Sequence, residues 1–429
     1  MAIKETARIY NIFPRIAGNI TNWISHFPRI TNMKFNWIFL NPFHYSGFSG
    51  SLYSIKDYYK LNPMFYDQSN KKTEIEQLKW MIDEAHKLGI KVMMDLVVNH
   101  TAVDHPFTKT HKEWYKWEGE KIVNPGAWDG NNWVSWGDLA EIDNEYSSDK
   151  KNLWKYWLDI VIYYLKLGFD GFRCDAAYKL PIEFWEYIIS KSKKQNSKVV
   201  WFAESLGCQI EDTIKLGESG FEYTFNSSKW WDYEEEWCLE QYNKNLPYSK
   251  SISFPESHDT NRIYDELHED PRAVKHKYLF SALFSAGIMI PIGFEYGFKR
   301  RLSVVSTTPE DFEEIHHDFS QFISEVNTLK STYQIFNEES YLEKIPVEEN
   351  VNIKVLLKTS LNKKEKCLLI INKDFSKTQT ISIEKYLSIF PDRDKIKDIS
   401  ISYPVQKIYK ENNLSFKPAE IKIIYCKAK

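Results

Sequence analysis

The sequence predicts an α/β protein built on a closed (β/α)8 TIM barrel, with a small excursion domain after strand 3 and a carboxyl-terminal all-β domain. Three observations lead there. Short β-rich apolar runs alternate with amphipathic helical segments, one strand-to-helix connection is far longer than the rest, and beyond about residue 333 the helical pattern stops.

Taken in order, the strand candidates are RIYNIFP (8–14), FNWIFLNP (35–42), IKVMMDLVVN (90–99), FDGFRCDA (169–176), KVVWFAE (198–204), FEYTFN (221–226), SISFPE (251–256) and GIMIPIG (287–293). Between them, TEIEQLKWMIDEAHKLG and KNLWKYWLDIVIYYLKLG carry apolar residues at helical spacing and stop at Gly89 and Gly168. Repeated strand–helix units of this number argue for a closed barrel. An open doubly wound sheet needs fewer strands and, for a nucleotide, a glycine-rich first turn that the sequence lacks. The barrel then occupies 1–100 and 150–332. The stretch 101–149 is too long for an ordinary connection and reads as the excursion, overhanging the catalytic rim. From 333 to 429, VNIKVLLKTS, EKCLLIINKD, TQTISIEKY and AEIKIIYCKAK alternate with charged turns, the pattern of a β-sandwich-like domain. With no internal repeat, low-complexity run or flexible linker, the parts are expected to pack as one body.

Composition narrows the partners. A net charge of -3, with acid and base well mixed, gives no electrostatic case for nucleic acid or an anionic membrane surface. A neutral substrate suits it better. Cys174, Cys208, Cys238, Cys367 and Cys426 are scattered, with neither zinc-site nor disulfide-framework spacing, and read as reduced thiols. The start MAIKETARIYNIFP lacks a basic segment followed by an apolar run, and no window approaches the roughly 20 apolar residues of a membrane span. The expectation is a soluble cytoplasmic protein. All 15 tryptophans lie between Trp23 and Trp237, and Trp114, Trp117, Trp128, Trp133 and Trp136 crowd the excursion. Core packing is the ordinary home of tryptophan, but flat indole faces also stack on the apolar faces of sugars.

Catalytic groups of such a barrel come from the carboxyl ends of different strands. Acidic residues break the apolar pattern at four of those ends: Asp95, Asp175, Glu204 and Asp259. One alone reads as a helix cap or a solvated charge; several converging on one rim do not. Arg173 and Asp175 are two apart on a strand, share a face and can pair, which favours the ionised carboxylate that a nucleophile needs. A structural ion pair bracing the barrel is the competing reading. Glu204 follows VVWFA, and such apolar surroundings raise a glutamate's pKa and suit it to donate a proton. Two carboxyl groups with separated pKa values are what glycoside cleavage with retention requires.

DLVVNH (95–100), GFRCDAA (171–177), FAES (202–205) and FPESHD (254–259) resemble, in order and spacing, the four short motifs of the α-amylase family of glycoside hydrolases. The resemblance covers roughly 10–298, with weaker support from NPFHYSGFSGSLYSIKDYY (41–59) and WGDL (136–139). It implies that Asp175 is the nucleophile, Glu204 the general acid/base and Asp259 the third carboxylate, holding sugar hydroxyls. It implies also that Arg173 orients Asp175, that His100 and His258 bond sugar hydroxyls, and that Tyr53 stacks beneath the sugar, although Leu52 replaces the usual preceding glycine. Asp95 and Asn99 are expected to brace the rim.

Departures limit what is carried over. Tyr178 and Lys179 follow DAA where many members have a lysine and a histidine associated with calcium. Asn99 and Asp138 alone are thin for an ion that takes about six to eight oxygens, so no metal or cofactor is expected. After the eighth strand, Lys299, Arg300 and Arg301 form a basic segment, read as solvated surface or as a site for a sugar phosphate. The implied activity is cleavage of α-glucosidic bonds in maltooligosaccharides or glycogen- and starch-like glucans, through a covalent glycosyl-enzyme, by a hydrolase or transglycosylase. A glucanotransferase, or a maltosyltransferase using a phosphorylated donor, is the alternative. A non-catalytic barrel scaffold is a remoter one.

Overall fold

In a computed structural model, which describes residues 5–129 and 132–428, eight parallel strands close into a barrel. They are β1 (Arg8–Ile12), β2 (Trp37–Leu40), β3 (Lys91–Leu96), β4 (Gly171–Cys174), β5 (Val200–Ala203), β6 (Tyr223–Phe225), β7 (Lys250–Ser253) and β8 (Gly287–Pro291). Each lies within one of the eight apolar runs, except that β7 begins one residue ahead of its run, at Lys250. The helices following them in turn are α1 (Ile20–Ser25), α2 (Glu74–Lys87), α3 (Lys150–Leu167), α4 (Ile182–Gln195), α5 (Ile210–Glu218), α6 (Trp237–Asn245), α7 (Pro271–Phe284) and α8 (Ser320–Thr332).

Local chemistry explains the boundaries. Thr73 and Glu76 form a reciprocal capping box at the start of α2, satisfying two amide donors that a helix end leaves bare. α3 ends at Gly168, whose φ of 118° takes the chain left-handed into β4. Gly171 then lies so close to β5 that a Cβ there would sit 2.6 Å from the Val200 carbonyl. Both glycines therefore serve the delivery of β4 into the barrel.

Between β3 and α3 the chain makes small antiparallel pairs, His100–Ala102 with Leu139–Glu141 and Gly126–Asp129 with Asn132–Ser135. The five tryptophans there part company. Trp114 is buried against Phe107 and Tyr156, whereas Trp117, Trp133 and Trp136 are exposed. The side chain of Trp128 lies outside the described residues.

The tail carries β9 (Leu342–Ile345), β10 (Ile353–Thr359), β11 (Glu365–Asn372), β12 (Gln379–Ser382), β13 (Lys397–Asp398), β14 (Asn413–Phe416) and β15 (Ile421–Lys427). A five-stranded sheet has the order β9-β10-β11-β15-β13, and β12 pairs with β14. One sheet face joins the barrel's core: Leu356, Leu369, Ile371 and Ile423 pack in the same apolar cluster as barrel side chains. The contact has a polar centre. The buried Lys330 ammonium donates to the carbonyls of Ala282, Ser285 and Phe336, and buried Lys358 on β10 donates to those of Leu283 and Phe284. Two ammonium groups thereby satisfy four successive carbonyls at the end of α7, where the helix dipole is negative.

Candidate active site

The site is built at the carboxyl ends of β3, β4, β5 and β7. Register places Arg173 of β4 opposite Asp95 of β3 and Phe202 of β5. Its Nη1 contacts Asp95 Oδ1 and Oδ2 at 2.8 and 2.9 Å and Asp175 Oδ1 at 2.9 Å. One guanidinium thus joins the buried and the rim carboxylate. Asp95 is fully buried; burial pushes its pKa up to about 6 against the opposing charge of Arg173.

Immediately after Asp175 the chain turns sharply. Ala176 adopts φ 41° and ψ 49°, a left-handed conformation strained for any residue with a Cβ. Glu204 holds that turn. Its Oε2 accepts from the Ala176 N–H at 2.8 Å, its carbonyl from the Ala177 N–H at 3.1 Å, and its Oε1 from the Leu206 N–H at 2.7 Å. Burial raises the Glu204 pKa to about 7, with Asp175 adding to the rise and Arg173 and the two amides opposing it. The rise expected from the apolar context of FAES is present.

Asp259 stands at the opening, its side chain 65% exposed and 3.0 Å from His258 Nε2. Burial of the surrounding site would raise its pKa, but His258, Arg173 and Arg301 outweigh that and hold it at about 2. Tyr53 closes the group on the other side. Its hydroxyl lies 2.8 Å from Asp95 Oδ2 and 2.7 Å from His258 Nε2, and its ring is parallel to that of His258 at 6.0 Å. His100 Nε2 reaches the Tyr53 carbonyl at 3.2 Å, and burial lowers its pKa, disfavouring the imidazolium. Nδ1 of His100 and of His258 is buried without a partner among the described residues. All seven residues singled out from the sequence therefore meet in one cluster.

Other members gave weaker sequence signals. Asn41 donates to the Tyr53 hydroxyl at 3.1 Å and is itself held by Asn11. Phe13 and Phe39 pack on the His258 ring. Glu256 pairs with Arg262 at 2.8 Å and accepts the Ile263 N–H, fixing the loop that carries Asp259. A polar residue directly after an apolar strand, as in NP and FPE, was the available signal.

The departures have partners too. Lys179 donates to the Gly126 carbonyl at 3.1 Å and lies 5.7 Å over the Trp136 ring, tying the excursion to the loop after β4. Asp138 accepts from Ser49 Oγ at 2.6 Å. Among the described residues no group of three or more His, Cys, Asp or Glu is placed to hold a metal. In the basic segment, Lys299 pairs with Glu269 and Arg300 with Asp311, while Arg301 donates to the Asp259 carbonyl at 2.8 Å. Two of its three charges are thus already neutralised.

A closed (β/α)8 barrel bearing carboxylates after β4, β5 and β7 defines a class of rim-site enzyme folds. Residues 3–116 match the family model for the glucanotransferase domain of glycogen debranching enzyme. The chain is 22% identical to the α-1,4-glucan:maltose-1-phosphate maltosyltransferase of Picrophilus torridus, over 94% of this chain and 65% of that protein. It is 24% identical to α-amylase 2 of Dictyoglomus thermophilum, over 68% and 52%. It thus spans less than two thirds of the length of either relative. In fold it is similar to an α-amylase from Lactobacillus plantarum, with a TM-score of 0.78, 20% identity and 98% of both chains covered. In sequence and in fold the chain is thus similar to α-amylases.

Proposed function

We propose that this protein is a retaining enzyme that cleaves α-glucosidic bonds in maltooligosaccharides or related glucans. The observation that carries the reading is the unequal environment of two neighbouring carboxyl groups. Asp175 is paired with a guanidinium at 2.9 Å, whereas half-buried Glu204, desolvated by its surroundings, is pushed up to about 7. Asp175 attacks the anomeric carbon as the bond to the leaving oxygen breaks, and protonated Glu204 gives that oxygen its proton. Glu204 then takes a proton from water or a sugar hydroxyl, which attacks the same carbon and frees Asp175. Asp259 holds sugar hydroxyls, and Arg173 pairs with Asp175 and aims it. His100 and His258, joined through Tyr53, are read as binding sugar hydroxyls. Tyr53 supplies a ring for the sugar's apolar face.

The catalytic unit is read as 1–100 with 150–332, the excursion as 101–149 and the β domain as 333–429. The five cysteines are unpaired and no described helix is long and apolar enough to cross a membrane; we place the protein in the cytosol, with neither nucleic acid nor membrane as partner. Transfer to a sugar acceptor is the second reading, favoured by the similarity to maltosyltransferases. A phosphorylated donor draws little support from the basic segment, given its ion pairs.

Asp175→Ala should abolish turnover of maltooligosaccharides; unaltered turnover sinks the proposal. Product analysis with maltoheptaose, with and without inorganic phosphate, separates the outcomes: short free sugars mean hydrolysis, longer chains transfer, and a sugar phosphate a phosphorolytic or phosphate-donor reaction.

A further inference from the structure

Around the barrel, the loop after β6 lies between the one carrying Glu204 and the one carrying Asp259. Its three-residue turn, Ser228–Trp230, is fixed on both sides. Lys229 is buried, donating to the Pro255 carbonyl at 3.2 Å and pairing with Glu266 at 2.7 Å. Trp231 is buried among Tyr233, Phe280 and Phe284. Trp230 between them is nevertheless 52% exposed. Its ring meets Phe254 edge to face at 6.0 Å, and Phe254 lines the site cavity together with Phe225, Leu206, Glu204 and Asp259.

We propose that Trp230 is the stacking platform for the sugar on the leaving-group side of the scissile bond, and therefore for an incoming acceptor sugar. The inference rests on Glu204 being the proton donor, because the donor marks the side on which the leaving sugar departs. Tyr53, linked to His100 and His258, is read as holding the sugar that becomes ester-linked. An apolar wall of Leu206, Phe225 and Phe254 leads from Glu204 to the exposed indole. A rigid aromatic face held by a pinned turn loses little entropy when a pyranose ring settles on it.

A substrate without a leaving sugar isolates this contact. With α-maltosyl fluoride, Asp175 forms the ester as the C1–F bond breaks and fluoride departs with the Glu204 proton; water, giving a proton back to Glu204, then releases maltose and Asp175. In Trp230→Ala, kcat/KM for maltopentaose should fall about tenfold more than that for the fluoride, the upper range of one aromatic stacking contact. Trp230→Phe should recover most of the difference. Calorimetric affinity for maltotriose should weaken in the same order. Equal losses on both substrates, or unchanged maltotriose affinity in Trp230→Ala, overturn the inference while leaving the glycosidase reading intact. If the wild type releases no fluoride but loses maltotriose affinity in Trp230→Ala, the stacking site stands and the glycosidase reading falls.

Discussion

Glu204→Gln should change stability in a pH-dependent way that follows from the site's electrostatics. Wild-type Glu204 has a folded pKa of about 7 against an ordinary 4.5. Between those values the folded protein keeps the proton and the unfolded chain has lost it, so the wild type loses stability as pH rises, fully so above about 7. At pH 5 the loss is about 1 kcal/mol and at pH 8 about 3 kcal/mol, taking 1.36 kcal/mol per pKa unit. The glutamine variant carries no such term. It does set an amide N–H against one of the two N–H donors of Ala176 and Leu206, costing about 1–3 kcal/mol at every pH. That cost cancels when two pH values are compared. Relative to wild type, Glu204→Gln should therefore be about 2.5 kcal/mol more stable at pH 8 than at pH 5, by urea unfolding. Other titrating groups, Asp95 among them, are common to both proteins. A difference below about 0.5 kcal/mol would refute the burial argument and with it the assignment of Glu204 as a proton donor at neutral pH.

Arg173→Met should destabilise by about 3–5 kcal/mol at pH 8, because buried Asp95 loses its cation. The loss should shrink at pH 5, where Asp95 takes a proton; equal losses at both pH values would contradict the pairing. Lys330→Met keeps the length of the side chain but leaves three buried carbonyls without their donor, and should cost about 3 kcal/mol in thermal or urea unfolding. A cost under about 0.5 kcal/mol would mean that water replaces the ammonium.

Much of this was legible in the sequence, and for identifiable reasons. Barrel strands are buried on both faces, so FNWIFLNP and GIMIPIG stand out as short apolar runs between amphipathic helices. Polar residues at their ends are equally visible, which is why Asp175, Glu204 and Asp259 stand out in the sequence. What escaped was set by tertiary packing. In the pair Trp230–Trp231 nothing local says which indole faces solvent; Lys229's anchor to Pro255 and Glu266 decides it. Trp114 and Trp133 share a Trp-rich stretch yet one is core and the other exposed, because only Trp114 meets Phe107 and Tyr156. β9, β13 and β14 escaped as well: the first precedes the more regular tail runs, the second spans only two residues, and the third is a four-residue strand, NLSF, in a polar stretch.

The lysines under α7 bear on modularity. The seventh helix of the barrel is completed by a group that appears 74 residues after its last residue, on a strand of another sheet (358 − 284). During synthesis, the end of that helix stays open until Lys358 has left the ribosome, so the last barrel units and the tail mature together rather than in succession. A chimera with an exchanged tail would have to bring its own ammonium to the same place, and a matching apolar face is not enough to replace it.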